Sequence, residues 1–247
     1  MARSALVTGG GRGLGRLVSV GLLADGWAVT VTGRDAGSLA AVEGAVAVVG
    51  DTTDPAHVTA ALADAVPDLL VLNAGSLTTG GPLWETDPAA WWRDVEVNLR
   101  GPALWLHAAL PQMVGRGSGR VLVVGSGLGH EPVSGASAYS VSKTAVERLV
   151  EGVALELAGT GVTVLTASPG LVRTDMTEGF PPGYLALHPE MATATRRDPA
   201  LFVDLVLRFG RGELDDLHGR FAHVTTDVGA ARRTTAPAGT LRLVPYE

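Results

Sequence analysis

The sequence lacks cysteine entirely, has few aromatic residues and contains no long apolar run. The missing thiols exclude disulfide bonds and thiolate catalysis, and they agree with the cytoplasmic location that we expect. No stretch approaches the roughly 18 apolar residues of a membrane-spanning helix, so no membrane partner is predicted. The first strand is predicted to begin by Ser4, and we therefore expect no signal peptide. Basic residues number 19 against 25 acidic ones, without a basic block, which argues against nucleic acid as a partner.

Small and apolar residues dominate what is present. Apolar residues make up 46% of the 247 positions and glycines number 33, which suits one α/β domain with closely packed helices. Short apolar runs alternate with helical patterns, and this alternation predicts a parallel sheet with helices on both faces. The predicted strands are residues 4–8, 28–32, 46–49, 69–72, 121–124, 162–166 and 220–224. The predicted helices are residues 13–24, 38–43, 55–66, 88–113 with a break at Gly101 and Pro102, 139–158 and 199–209.

Two segments do not fit this alternation. Residues 172–199 combine several prolines with scattered apolar residues, and we predict that they form a lid or substrate loop within the single domain. Residues 225–247 form a polar tail that contains one short apolar stretch at 241–244. No internal repeat and no linker divides the chain.

A glycine-rich turn follows the first predicted strand. Residues 8–15 read TGGGRGLG and connect this strand to the helix that begins at Gly13. Glycines allow backbone N–H groups to approach a pyrophosphate, and the positive end of the helix dipole adds to the attraction. The turn therefore predicts a dinucleotide site, and the alternative is a tight turn without a ligand.

A serine, a tyrosine and a lysine follow the fifth predicted strand. Tyr139 and Lys143 are four residues apart and therefore share one face of a helix. An ammonium one turn away favours the phenolate, so we expect the pKa of Tyr139 to lie below its usual value of about 10. Ser126 ends the strand, where its hydroxyl can face the phenol across a crevice. Together these groups are able to polarise a carbonyl and pass it a proton. For the Tyr–Lys pair by itself, the alternative is a structural one, in which the tyrosine packs under the aliphatic stem of the lysine.

The unusual residues share one position in the predicted sheet. Each follows a strand directly, and the carboxyl ends of parallel strands meet at one edge, where open α/β sheets bind ligands. The common edge indicates one site rather than a set of separate turns. These residues are Gly9, Arg34, Asp51, Asn73, Ser126 and Pro169.

In order and spacing, the motifs resemble the short-chain dehydrogenase/reductase family. The resemblance implies a Rossmann-like, doubly wound sheet of about seven strands with helices on both faces. It also implies an oxidoreductase that transfers hydride between a nicotinamide cofactor and a carbonyl or alcohol of a small organic substrate. A non-redox epimerase or dehydratase, or a cofactor-sensing binding protein on the same scaffold, is the alternative. The matching pieces are TGGGRGLG at 8–15, NAG at 73–75, Asn98, Ser126, YSVSK at 139–143, and Pro169 with Gly170.

The resemblance assigns a catalytic role to four residues. Tyr139 would be the general acid or base, and Ser126 would orient the carbonyl. Lys143 would lower the pKa of Tyr139 and hold the nicotinamide ribose. Asn98 would position a water in a proton relay, and its alternative role is to cap a broken helix.

A larger set would contact the cofactor, and no metal site is predicted. For Asp51 and Asn73 the alternative is an ordinary turn residue, and for Thr174 it is a helix cap. The predicted contacts are Thr8, Gly9, Gly11, Arg12, Gly13, Leu14, Gly15, Arg34, Asp51, Thr52, Asn73, Ala74, Gly75, Tyr139, Lys143, Pro169, Gly170, Val172 and Thr174.

NADP(H) is the predicted cofactor, with NAD(H) as the alternative. Relatives that use NAD commonly carry an acidic residue at the end of the second strand, where this chain has Gly33 and Arg34. Arg34 and Arg12 offer guanidinium donors that suit a 2′-phosphate. Against this, the neighbouring Asp35 is able to pair with Arg34 or to turn toward the ribose.

Two further expectations concern the substrate and the assembly. The resemblance implies a tetramer or dimer built through the two long predicted helices, 88–113 and 139–158. The second of these helices carries an apolar stripe that is wider than packing against the sheet requires, namely Val146, Leu149, Val150, Val153 and Leu157. The candidate substrate contacts are Gly127, Leu128, His130, Met176, Phe180 and Tyr184. For His130 the alternative is a position on the exposed surface of the loop.

Overall fold

Seven parallel strands form one sheet at the centre of the protein in the computed structural model, which describes residues 3–225. The strands are β1 Ser4–Thr8, β2 Ala28–Gly33, β3 Val46–Val49, β4 Leu69–Leu72, β5 Gly119–Val124, β6 Val162–Ser168 and β7 Phe221–His223. Their spatial order is β3-β2-β1-β4-β5-β6-β7, so the direction of progression reverses between β1 and β4. Such a reversal opens a crevice at the carboxyl ends of the strands. The predicted α/β, Rossmann-like, doubly wound sheet is confirmed.

Helices cover both faces of the sheet. In chain order they are α1 Gly13–Ala24, α2 Ala36–Ala40, α3 Pro55–Ala61, α4 Pro88–Val95, α5 Gly101–Arg116, α6 Ser137–Glu156, α7 Asp175–Glu178, α8 Pro182–Leu187 and α9 Ala200–Gly210. Single turns of 3₁₀ helix lie at Leu83–Glu85, Gly127–Gly129, Pro189–Ala192 and Asp215–Leu217, and a π-helical turn spans Glu96–Arg100.

Alternation along the central strands builds two separate cores. All four residues of β4 are buried, because neighbouring strands and helices enclose it on every side. Leu69 and Val71 belong to the core under α1 and α9, whereas Leu70 and Leu72 belong to the core under α3, α5 and α6. Successive side chains of a strand point to opposite faces, so an unbroken apolar run is what a doubly covered strand requires.

Several predicted boundaries are wrong. Instead of continuing to residue 66, α3 ends at Ala61, because the Leu62 and Ala63 N–H groups bond to carbonyls three residues back and tighten the last turn. α2 begins before the predicted Ser38, because the Asp35 side chain caps it by accepting a hydrogen bond from the Ser38 N–H. β6 continues two residues past the prediction, to Ser168, where it pairs with β7.

The expected break at Gly101 and Pro102 is also wrong. The helical segment that starts at Pro88 passes through the π turn at Glu96–Arg100 and then runs on as α5 to Arg116. The Gly101 N–H bonds to the Glu96 carbonyl, five residues back, so the hydrogen-bond pattern has already widened where Pro102 cannot donate. The irregularity therefore lies one turn earlier than predicted.

The predicted lid, residues 172–199, folds into the short helices α7 and α8 and one 3₁₀ turn. Its two ends meet in an isolated parallel bridge between Val172 and Arg197. We call this segment the lid below. Most of the predicted polar tail, residues 226–247, lies outside the described residues.

The apolar stripe of α6 is mostly internal. Val146, Val150, Val153 and Leu157 are buried in the core under α3, α5 and α6. The sequence-based reason for assembly through this stripe is therefore wrong, because the sheet already covers these side chains. Oligomeric state stays a prediction that light scattering can test against the chain mass of 25.3 kDa. Within residues 3–225, no helix has the length and apolar character needed to cross a membrane.

Candidate active site

The carboxyl ends of β1, β4, β5 and β6 bring the predicted site residues to one edge of the sheet. The glycine turn follows β1, Asn73 follows β4, Ser126 follows β5 and Pro169 follows β6. Because β1, β4, β5 and β6 are consecutive neighbours in the sheet, these residues border one continuous crevice.

Close packing explains the glycines of the turn. Gly9 and Gly13 have φ angles of 63° and 50°, a region that side chains with a Cβ rarely adopt. Gly15 lies against the turn itself, since a Cβ there would come within 2.5 Å of Asn73 Nδ2 and closer still to the Gly9 carbonyl oxygen. The start of α1 therefore packs directly on the end of β1.

The first turn of α1 suits an anionic ligand. Its N-cap residue, Arg12, makes no side-chain capping hydrogen bond, and no acidic residue lies in the first turn. By contrast, α2, α3 and α4 are each capped by an aspartate: Asp35, Asp54 and Asp87. Uncapped amides at the positive end of a helix are the donors that a pyrophosphate accepts. The residues present thus fit the dinucleotide cofactor that the motif implies.

Asn73 ties the end of β4 to the end of β1. Its side-chain amide donates to the Thr8 carbonyl at 2.9 Å and to the Gly9 carbonyl at 3.3 Å. The Thr8 hydroxyl in turn accepts from the backbone N–H groups of Asn73 and Ala74, both at 3.0 Å. Asn73 therefore holds the glycine turn against the end of β4. Gly75, two residues further on, lies against Asn98.

Asn98 lies in the π turn and is fully buried. Its side chain accepts from the Ser76 N–H at 2.8 Å and donates to the Ser76 carbonyl at 2.8 Å and to the Ser142 hydroxyl at 3.0 Å. The Ser142 hydroxyl donates to the Tyr139 carbonyl at 2.7 Å. Asn98 thus links the loop after β4 to the first turns of α6, and the extra residue of the π turn aims it there.

Asp94, which the sequence analysis missed, organises the loop after β4. It is fully buried and accepts hydrogen bonds from the hydroxyl of Ser76 and from the backbone N–H and hydroxyl groups of Thr78 and Thr79. Burial would raise the pKa of Asp94, but these hydrogen bonds outweigh it and hold the pKa below its usual value. A lone aspartate in a helical pattern carries no sequence signal for this role.

Ser126, Tyr139 and Lys143 come together beneath the lid. The Lys143 ammonium is buried, donates to the Val124 carbonyl at 2.7 Å and lies 5.5 Å from the centroid of the Tyr139 ring. Burial raises the pKa of Tyr139 to about 12, although its hydrogen bond with Ser126 acts in the opposite direction. Burial also lowers the pKa of Lys143 to about 8, against the nearby charge of Glu147. The expected depression of the Tyr139 pKa is therefore wrong, because desolvation of the phenolate is the largest effect on it.

An apolar cluster packs over the Tyr139 ring. Three of the predicted substrate contacts belong to it: Met176 and Phe180 are partly buried, and Tyr184 is buried. The remaining members are Leu77, Val133, Ala136 and Met191. The lid thus covers the tyrosine with hydrocarbon and thioether groups.

The other predicted substrate contacts are placed differently. Gly127 and Leu128 form a 3₁₀ turn that Ser126 caps, by accepting from the Leu128 N–H at 3.2 Å. The His130 ring contacts Glu147 at 2.9 Å and stacks edge-on against Phe221. His130 is thus engaged with α6 and β7 rather than with the apolar cluster.

Arg34 after β2 and Arg12 in the glycine turn are exposed and loosely paired. Arg34 contacts Asp51 at 3.9 Å, and Arg12 contacts Asp175 at 3.8 Å. Asp51 itself accepts from the Thr53 N–H at 2.8 Å, so it orders its own turn. Behind it, Thr52 accepts from the Trp105 indole at 2.9 Å.

After β6, the chain turns into the lid. Gly170, which follows Pro169, has a φ angle of 68°. Val172 holds the base of the lid through its bridge to Arg197. Thr174 caps α7 in a capping box with Thr177, and its side chain also lies next to Gly13. The lid therefore contacts the glycine turn at this position.

Comparison with known proteins gives the same family from three directions. A family model described as short chain dehydrogenase matches residues 3–184. The cis-4-hydroxycyclohexanecarboxylate dehydrogenase of Sinomonas cyclohexanicum is 35% identical over 197 residues, covering 72% of this chain and 77% of that protein. The 2-dehydro-3-deoxy-L-rhamnonate dehydrogenase (NAD(+)) of Sphingomonas sp. (strain SKA58) is 32% identical over 188 residues, covering 72% and 76%.

A solved structure agrees over a longer span. A short-chain dehydrogenase from Streptomyces avermitilis superposes with a TM-score of 0.79 at 32% identity, covering 93% of this chain and 90% of that one. The similarity to this structure therefore extends over nearly the whole fold. The chain belongs to the short-chain dehydrogenase/reductase family of NAD(P)-dependent oxidoreductases.

Proposed function

We propose that the protein is an NADP(H)-dependent ketoreductase or alcohol dehydrogenase acting on a small organic carbonyl or alcohol. The bound nicotinamide supplies or accepts the hydride. Tyr139 transfers the proton to or from the substrate oxygen, Ser126 orients that oxygen, and Lys143 holds the nicotinamide ribose. The observation that carries the proposal is the Tyr139 ring packed in an apolar, lid-covered site, with the Lys143 ammonium 5.5 Å from the ring centroid.

The protonation of Tyr139 favours carbonyl reduction. With a pKa of about 12, the phenol keeps its proton at neutral pH and is ready to donate it to a developing alkoxide. Alcohol oxidation needs the phenolate instead, so its rate should rise with pH over a range where reduction is still flat.

Apolar groups over Tyr139 favour an uncharged substrate. Met176, Phe180 and Tyr184 contribute surface without formal charge at neutral pH. A carbonyl carried by an alicyclic, aromatic or alkyl group would gain free energy from burial there. The cyclic alcohol in the name of the Sinomonas relative is of this kind, although it also bears a carboxylate.

Replacing Tyr139 tests the chemistry directly. Tyr139→Phe should lower kcat by at least about 100-fold, because general acid–base catalysis contributes roughly 10²–10⁴-fold. Cofactor affinity, measured by calorimetry, and the melting temperature should change little. A Phe variant with wild-type turnover would contradict the assigned role, and product formed without net change in nicotinamide absorbance would favour an epimerase or dehydratase.

The choice of NADP(H) is supported by the residues after β2. Asp35 is used as the cap of α2, where its carboxylate accepts from the Ser38 N–H at 2.7 Å. Arg34 and Arg12 are exposed, and their contacts of 3.9 and 3.8 Å to acids are of the weak surface kind. Both guanidinium groups are therefore available to a 2′-phosphate, whereas the NAD(+) in the name of the Sphingomonas relative argues for the alternative.

Calorimetric titration of both reduced cofactors tests this choice. NADPH should bind about 10- to 100-fold more tightly than NADH, because a charge-assisted hydrogen bond contributes roughly 1.5–3 kcal/mol. Arg34→Ala should remove most of that preference without weakening NADH. Arg93→Ala is the matched control, since Arg93 is an exposed, loosely paired arginine on α4. Equal binding of the two cofactors by the wild type would overturn the assignment.

A further inference from the structure

A buried carboxylate lies one helical turn beyond the proposed catalytic lysine. Glu147 follows Lys143 by four residues on α6, so the two side chains emerge on the same face of the helix. Glu147 is only 2% exposed. Among the residues that the structure describes, neither of its carboxylate oxygens has a hydrogen-bond donor with good geometry. Burying an ionised carboxylate is costly without compensating charge, so such a group needs a reason for its position.

The loop that carries Ser126 is folded over this carboxylate. A Cβ at Gly125 or at Gly129 would lie 3.0 Å from Glu147 Oε1, so both glycines leave room for it. The Thr144 hydroxyl fastens the same loop to α6 by donating to the Gly129 carbonyl at 2.7 Å. The carboxylate therefore supports the backbone on which Ser126 stands.

Two basic side chains counter the charge. His130 Nε2 lies 2.9 Å from Glu147 Oε2, and the His130 ring packs against Phe221 with centroids 4.1 Å apart. The contact with Glu147 raises the pKa of His130, against the effect of burial. Lys143 is the second basic side chain, and the charge of Glu147 acts to keep it protonated.

Further charged residues surround His130 and Glu147. Glu151, one turn further along α6, is occupied by Arg148 at 2.6 Å. Glu151 and Glu131 both add negative charge around His130. The negative charge of Glu147 also disfavours the Tyr139 phenolate. Glu147 is therefore the carboxylate that acts on both members of the Tyr–Lys pair.

We propose that Glu147 is a positioning residue, which keeps the Lys143 ammonium charged and the Ser126 loop in place while His130 holds its carboxylate. The importance for catalysis rests on the proposed function, but the electrostatic relation between Glu147 and Lys143 does not. A test without substrate or cofactor therefore measures the electrostatic relation independently of the proposed function.

The composition of the chain offers such a test. Lys143 is the only lysine in the sequence. In tag-free protein labelled with ¹³C,¹⁵N-lysine, the side-chain resonances therefore report this one residue, and their pH titration gives its pKa. The wild type should titrate near 8. Glu147→Gln, which keeps the shape and removes the charge, should lower that pKa by about one unit, as a charge one helical turn away does in a partly buried setting.

Glu151→Gln is the matched control, since it removes a carboxylate one turn further along the same helix. It should move the Lys143 titration by less than about a third of the Glu147→Gln effect, because the interaction weakens with distance and solvent screening. Equal shifts in the two variants, or no shift in Glu147→Gln, would overturn the proposal.

A wild-type measurement covers the case in which Glu147→Gln does not fold. If the buried Glu147 supports the ammonium, raising salt from 0.05 to 1 M should leave the Lys143 titration within about 0.2 units, because buried pairs are screened little. A clear fall with salt would assign the support to surface carboxylates and overturn the proposal.

The pH–rate profile then links the residue to turnover. Glu147→Gln should move the pKa that limits kcat/KM downward by about half a unit to one unit, since removing the negative charge favours the Tyr139 phenolate. A structural role alone would lower kcat/KM equally at every pH. An unchanged profile together with a shifted Lys143 titration would confine Glu147 to the charge of the lysine and refute its link to catalysis.

Discussion

The glycine turn and the lid border the same crevice, but they are held in place by different kinds of contact. In the turn, backbone lies directly on backbone: Gly15 packs on the Gly9 carbonyl, and Asn73 bonds to main-chain oxygens. In the lid, side chains hold irregular backbone: the Arg196 guanidinium donates to the Met191 and Ala194 carbonyls at 3.2 and 2.9 Å.

The two sides of the crevice therefore differ in how much sequence variation they allow. A backbone cradle leaves no space for variation, which suits a cofactor of constant shape. A side-chain lid is able to change its lining without losing its chain path, which suits a region that selects the substrate. Asp94 on α4 and Asn98 in the π turn accept hydrogen bonds from the loop after β4, which carries another wall of the crevice.

The largest effect is expected in the turn. Gly15→Ala should destabilise the protein by about 3 kcal/mol or prevent folding, because the new methyl group would overlap fixed backbone. Gly152→Ala is the matched control on α6, where a Cβ meets nothing within 4 Å. It should stabilise the protein by about 0.5–1 kcal/mol through helix propensity. Urea unfolding measures both, and similar values for the two variants would contradict the close-packed turn.

A smaller effect is expected at Asp94, which holds the loop after β4 from α4. Asp94→Asn should cost about 2 kcal/mol at pH 7, since the amide nitrogen cannot accept from the groups that donate to the carboxylate. The folded-state pKa of Asp94 lies below the unfolded value of about 3.9, so its contribution is fully present above that pH. It is lost as pH falls through the folded-state pKa.

Chemical unfolding at pH 7 and at successively lower pH checks this dependence. The difference in unfolding free energy between wild type and Asp94→Asn should shrink in acid. A difference that stays constant down to the lowest pH at which both proteins fold would argue against an ionised Asp94.

The smallest effect is expected in the lid. Arg196→Met should loosen the lid by about 1–2 kcal/mol and speed its proteolytic cleavage roughly 10-fold, because several lid carbonyls lose their donor. Arg173→Met is the control within the same segment, since Arg173 is exposed and contacts only Glu178, at 3.9 Å, among the ion pairs of the described residues. It should change the cleavage rate less than about twofold. Equal rates in the two variants would show that Arg196 does not hold the lid.

Local patterns were enough to predict the layout of the molecule. Apolar runs such as that of β4 identified the strands, and the residues that end them are at the crevice because parallel strands share one direction. The turn 8–15 and the Tyr139–Lys143 spacing were readable for the same reason: both depend on neighbours in sequence. Helix ends were predicted less well, since caps such as Asp35 compete with propensity.

Tertiary structure alone decided the chemistry within that layout. The sequence spacing predicted a Tyr139 pKa below the usual value, but burial under the lid raises it to about 12. Asp94, Ser142 and Glu147 gained their roles from contacts with residues that are distant in sequence or in separate elements. Desolvation and hydrogen bonding depend on what surrounds a group in three dimensions, and no spacing along the chain encodes that surrounding. The sequence by itself therefore determined the positions of the reactive groups at the sheet edge, and the fold decided their protonation states.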